Sequence, residues 1–275
     1  MTTSRSSTSY TSSLRSAGRR LGQQVIYIRD LLRELVLRDL KIRYKRSYLG
    51  ILWSLATLIL QIILFSFLFR RVIPLDIPNY TAFLFAGILA YSWFRESLGS
   101  ASGTIVNNPG LVRRPGFPVA ALPVLAVAAS GIHFLLALPV LLVIAVIGGG
   151  TLGAPLLALP LVIGVQFFFM LSLAYLVAGS NVRFRDTQHL VTALLMVGFY
   201  LTPIFYSVRM VPEQYRFIYD INPVAHIIRA YRDILIENRL PDFGILFWVS
   251  AVAAILLCGT FWLFRRMSVR FAEEL

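Results

Sequence analysis

An apolar run at residues 49–69, with Gln61 as its one strongly polar member, follows directly on a charged, helix-like stretch, and this junction constrains the chain more than any other feature. At 1.5 Å per residue such a run is about long enough to cross the ~30 Å hydrocarbon core of a bilayer. Inside that core a segment must satisfy its own backbone hydrogen bonds, so it folds as a helix. The whole chain repeats the pattern. Its mean hydropathy is +0.74, and charged residues make up 14% against the roughly 25% usual in soluble domains. The net charge of +13 does not point to nucleic acid, because the basic residues flank apolar runs instead of clustering on a polar domain.

Residues 25–46 read as an amphipathic helix. Val25, Ile28, Leu31, Leu32, Leu35, Val36 and Ile42 share one side, and Arg29, Asp30, Arg33, Glu34, Arg38 and Lys41 the other. The fit is imperfect, since Asp39 intrudes on the apolar stripe while Leu37 and Leu40 leave it. Such a helix, tied directly to a span, lies in the membrane interface or packs on a partner protein, and the two are compatible. Residues 1–24 read as a disordered cytoplasmic tail; the first twenty are Ser/Thr/Arg-rich, without the apolar core of a secretory signal but with some likeness to a transit peptide.

Apolar runs then predict an all-α integral membrane protein with six transmembrane helices, at about 49–69, 80–100, 119–147, 155–178, 190–205 and 244–264. Arg95 and Glu96 fall in the last turns of the second span, where they pair or snorkel to headgroups. His133, inside the third span, reads as a hydrogen-bonded packing residue. Residues 100–118, broken by Asn-Pro-Gly and Pro-Gly, form a cytoplasmic loop. Thr202-Pro203 interrupts the fifth span near its far end, a break tolerated where the helix faces protein or a water-filled cavity. Asn222-Pro223 is a cap followed by a first turn, and Val224, Ile227, Ile228, Tyr231, Ile234 and Leu235 line one face of the helix it starts. That helix belongs to a short extracellular re-entrant or amphipathic region before the last span. With both termini cytoplasmic, 18 of the 26 basic residues lie inside, 7 outside and Arg95 near the inner border. Arg70 and Arg71 are the awkward outer pair.

Catalytic chemistry is hard to find. The chain has no P-loop, no H-E-x-x-H, no G-x-S-x-G elbow and only one cysteine, Cys258, so neither a catalytic constellation nor a metal site is expected. The spans offer no midplane carboxylate of the kind that ion-coupled transporters use. They offer aromatic surface instead, onto which the flat C–H faces of sugar rings can stack. Phe199-Tyr200 and Phe205-Tyr206, flanking the Thr-Pro break, are the best channel candidates, with Trp53 and Phe65 of the first span beside them. Any one of these rings is also explained as packing or as an interface anchor.

Several stretches in order carry a family resemblance: residues 38–69, 80–94 (YTAFLFAGILAYSWF), 181–191 (NVRFRDTQHLV), 200–207 (YLTPIFYS) and 222–235 (NPVAHIIRAYRDIL). From about residue 25 to the end the chain resembles the permease subunit of ABC-2-type polysaccharide exporters, the O-antigen, teichoic-acid, galactan and capsule transporters. The resemblance implies a homodimer of six-span subunits in the bacterial inner membrane, joined to two copies of a separate ATPase subunit that binds ATP and Mg. No cofactor is expected in this chain. The first and fifth spans would line a channel, holding Trp53, Phe65, Phe199, Tyr200, Phe205 and Tyr206. Cargo would be a glycan on a polyprenyl pyrophosphate. Arg38, Lys41, Arg43, Lys45 and Arg46 would attract the pyrophosphate at the cytoplasmic entrance, at roughly 1 kcal/mol each, or else serve topology alone. Asn107, Asn108, Pro109, Arg113 and Arg114 would sit in the loop that contacts the ATPase. Two other readings are a permease for a smaller lipid or drug, and a membrane-embedded glycosyl- or acyltransferase for which Asp186 and His189 form a thin constellation.

Overall fold

The computed structural model describes residues 30–38, 41, 52–72, 75 and 77–275. The tail of residues 1–24, much of the expected interfacial helix and the first residues of the first span lie outside that set. Two units divide the chain, residues 1–45 and 46–275. Of the first, residues 30–38 are a helix, α1, in which Leu35 is buried while Asp30, Arg33, Glu34, Leu37 and Arg38 are exposed.

Among its described residues the second unit has helices, turns and loops but no strand. It contains α2 (Leu52–Phe67), α3 (Tyr80–Gly103), α4 (Pro109–Val112), α5 (Ala121–Ile147), α6 (Leu159–Arg183), α7 (Thr187–Leu201), α8 (Phe217–Ile221), α9 (Pro223–Leu235), α10 (Phe243–Ser268) and α11 (Phe271–Glu274). Among the described residues, four stretches are long and apolar enough to cross a membrane: Leu55–Val72, Ala121–Ile147, Ala154–Arg183 and Phe243–Ser268. α3, with 24 residues, extends about 36 Å at 1.5 Å per residue, and its Arg95 and Glu96 lower its apolar character. α7, with 15 residues, covers about 22 Å. It ends at Leu201, short of the expected residue 205, because Pro203 has no amide hydrogen with which to continue the ladder. The protein is an all-α, multi-pass integral membrane protein.

α3 is the central helix, packed against α2, α5, α6, α7 and α9, while α6 lies along α10. Small residues let its neighbours come close. Gly131 of α5 lies under the Trp93 indole, where an added Cβ would stand 3.2 Å from the ring. Polar side chains then tie helix to helix: Trp93 Nε1 donates to the Val127 carbonyl at 3.2 Å, Ser97 and Ser130 share a 2.7 Å hydrogen bond, and Gln166 donates to the Ala90 carbonyl at 2.8 Å. Each such bond within a membrane contributes about 0.6 kcal/mol.

Local signals set the helix boundaries. Asn79, at φ 48°, turns the chain into α3. α5 runs through Pro139 without interruption and accommodates Pro123 in its first turn. α10 starts at the Asp242 cap, whose carboxylate accepts from the amides of Gly244 at 2.9 Å and Ile245 at 3.1 Å. It ends with Arg265 and Arg266 beside its carbonyl terminus. The six residues expected on one face of α9 are all buried. α2 passes at Leu68–Val72 into a π-helical turn that carries Arg70 and Arg71, and Arg70 Nη1 reaches Thr81 Oγ1 at 3.4 Å.

Candidate functional site

The break after α7 is the starting point of the site. Past Leu201 the chain leaves the helix, so the carbonyls of Pro203, Ile204 and Phe205 have no amide four residues on to receive. All three are met by side chains. Arg232, one turn from the end of α9, donates from Nη1 to Pro203 at 2.8 Å and from Nη2 to Ile204 at 2.7 Å. Tyr80 Oη donates to Phe205 at 2.9 Å. Arg232 also donates from Nε to the Phe83 carbonyl at 3.2 Å, with its guanidinium carbon 3.4 Å from the centre of the Phe83 ring. Burial pulls this guanidinium down to about 9, which leaves it charged at neutral pH. Asn222 supports the break from below: its Oδ1 caps α9 by accepting from Val224 N at 3.0 Å, and its Nδ2 donates to Thr202 Oγ1 at 3.3 Å.

The segment so held carries Phe205 and Tyr206 into an aromatic cluster. The Phe205 ring lies nearly parallel to Phe65 and to Phe69 of the first span, at 6.1 Å and 5.6 Å between centroids. Phe199 lies 6.2 Å from Phe205 and 6.3 Å from Phe65. Tyr200 is 5.4 Å from Phe199, and Tyr206 is 4.9 Å from Phe205. Hydroxyls edge the cluster: Tyr206 Oη donates to the Tyr200 carbonyl at 3.0 Å and lies 2.8 Å from Tyr219 Oη. Phe65, Phe199, Phe205 and Tyr206 are half-buried and Tyr200 is exposed. Flat apolar faces bordered by hydroxyls suit a ligand with flat apolar faces and hydroxyl edges of its own.

A second polar feature sits between α2, α3 and α5. Gln61, Ser92, Arg95, Glu96, Ser130 and His133 line a cavity of about 80 Å³, room for several water molecules at ~10–15 Å³ each. His133 Nδ1 lies 3.4 Å from Glu96 Oε2. The histidine thus packs by hydrogen bonding, and the partly exposed Glu96 carboxylate is a partner.

Comparison with known proteins decides the family. The ABC-2 type transporter family model matches residues 30–236. The chain belongs to the ABC-2 type transporter family. This ABC-2 transporter chain is 33% identical over 258 residues to the "O-antigen export system permease protein RfbA" of Myxococcus xanthus, covering 93% of the chain and 99% of that relative. It is 32% identical over 257 residues to the protein of that description from Klebsiella pneumoniae, covering 90% and 96%. It is 25% identical over 217 residues to the "Polysialic acid transport protein KpsM" of Escherichia coli, covering 76% and 82%.

The ABC-2 fold brings five of the six expected channel residues together, Phe65, Phe199, Tyr200, Phe205 and Tyr206. Trp53 is the exception. It stands 60% exposed near the other end of α2 and joins no ring contact of this cluster among the described residues. Sequence reasoning missed Phe69, Tyr80, Tyr219 and Arg232. The signal for Arg232 was present: residues 224, 228 and 232 share one stripe of α9, so an arginine there falls on a buried face. Of the expected coupling loop, Val112 is buried; Asn107, Pro109, Arg113 and Arg114 are exposed, and Asn108 Nδ2 donates to the Thr104 carbonyl at 2.8 Å. Arg38 and Lys41 are exposed, and Arg43, Lys45 and Arg46 lie outside the described residues.

Proposed function

We propose that this ABC-2 chain is the permease subunit of an ATP-driven exporter that moves a polyprenyl-pyrophosphate-linked polysaccharide of the O-antigen type outward across the bacterial inner membrane. The observation that carries this reading is the aromatic cluster joining the first span to the break after α7. Rings from both elements make one surface, tolerant of sequence along a polymer because it recognises the faces of sugars and not their substituents. End-to-end similarity to proteins described as O-antigen export permeases supports the class of cargo.

Two copies of the chain pair across the exposed apolar faces of α2 and α7 and enclose the conduit. Two copies of a separate subunit hydrolyse ATP with Mg and drive transport through the exposed loop at Asn107, Asn108, Pro109, Arg113 and Arg114. Arg38, Lys41, Arg43, Lys45 and Arg46 attract the pyrophosphate at the cytoplasmic entrance, and both termini are cytoplasmic. Disruption of the gene tests the reading: surface polysaccharide should vanish while its lipid-linked precursor accumulates inside. Reconstituted vesicles holding this subunit alone, yet accumulating glycan against a gradient, would overturn it.

A further inference from the structure

Withdrawing a guanidinium from water is costly unless its donors are met and its charge is balanced. Arg232 meets its donors almost entirely with backbone, and the neighbouring Asp233 carboxylate is engaged by Arg239, with Nη2 2.6 Å and Nε 2.9 Å from Oδ1. An aliphatic side chain on the 224–228–232 stripe would bury as well within α9, but it would leave the carbonyls of Pro203 and Ile204 without these donors. Two of the three carbonyls that Arg232 holds belong to the stretch where Pro203 ended α7. The opposite helix is cut away for the same contact. A Cβ added at Gly87 of α3 would stand 2.8 Å from Arg232 Nη2 and 2.9 Å from the Ile204 carbonyl.

We infer that Arg232 is a positioning residue for export: it clamps residues 202–206 between α3 and α9 and so fixes where Phe205 and Tyr206 stand in the conduit wall. The inference rests on the reading of the aromatic cluster as that wall. The clamp requires a planar fork. Nη1 and Nη2 address successive carbonyls on one side while Nε addresses Phe83 on the other, a geometry that the single point charge of lysine does not reproduce. With the fork gone, the carbonyls of 203 and 204 lose their donors and the segment loses its register against Phe65 and Phe69.

The test uses the full chain assembled with its ATPase subunit in membranes. Cys258, which is exposed, is replaced by serine, and Ser207→Cys provides a reporter thiol just beyond the clamped segment. Arg232→Lys and Gly87→Ala are compared with the parent for amount of assembled complex, rate of modification of the reporter thiol by a membrane-impermeant maleimide, and rate of glycan export. Both variants are expected to assemble. In both, the modification rate should shift about tenfold, the equivalent of one lost charge-assisted hydrogen bond, and export should fall with it. Parental modification and parental export in both variants would overturn the inference. Loss of assembled subunit in both would also overturn it, by assigning Arg232 to folding alone. If the parent complex moves no glycan, the conduit reading fails on its own, whereas a shifted reactivity of the reporter thiol in the variants still supports the clamp.

Discussion

Asn222 serves two structures with one amide. Its oxygen caps α9 and its nitrogen reaches the hydroxyl of Thr202 across the break. Asn222→Ala removes both bonds and should cost about 1 kcal/mol for the cap alone, read as a lowered melting temperature of the detergent-purified protein. Asn222→Asp keeps the acceptor and loses the donor, so its melting temperature should lie between those of alanine and the parent. An Asp variant that melts with the alanine variant would show that the tie to Thr202 carries the stability. The cap was legible in the sequence because capping is a local event, written in two adjacent residues. The stripe of α9 placed Arg232 on a buried face, but its partners were not legible, because they are Phe83 of α3 and the loop at 203–204, far from it in the chain. Arithmetic on charge counted it among the outer basic residues; its burial removes it from that tally.

At the scale of elements, the phase of α2 decides which of its aromatics matter. Phe65 and Phe69 lie one turn apart and turn to Phe205, whereas Phe67 points away and Trp53 stands near the far end. Composition identified the helix as aromatic, but its phase is set by what it packs on, which a single helix does not record. Phe205→Leu should therefore lower export by about fivefold, the equivalent of ~1 kcal/mol for the lost ring contacts. Trp53→Leu should leave export near the parental rate, measured as surface glycan per assembled complex. The loop after α3 makes a separate prediction. Its anchor Val112 is buried while Arg113 and Arg114 are exposed, so Arg113→Glu with Arg114→Glu should leave the subunit in the membrane and abolish co-purification of the ATPase. Co-purification at the parental level would remove this loop from the coupling surface.

For the whole molecule, the apolar runs marked the helices, and the sequence breaks at 109–110, 115–116 and 203 marked where the chain turns. What they did not mark was the order of importance. α3 is the least apolar of the long helices, since Arg95 and Glu96 dilute it, and yet it is the one around which the others pack. Its polar residues are matched by partners on α5, Ser130 and His133, and such pairing is visible only once the helices are side by side. The exposed faces give the last prediction. With Cys258 replaced, a cysteine at Leu60 of α2 or Met196 of α7 should crosslink two copies through a short thiol-reactive reagent, whereas one at Phe247 of α10 should not; all three positions are more than 60% exposed in the single chain. Crosslinking only through position 247 would place the pairing surface elsewhere. α3 is gripped from every side, while α2 and α7 are held along one flank each, so the central helix is a fixed spindle. In the conduit proposed above, any widening that a bulky polymer demands would then be taken up by the two outer staves.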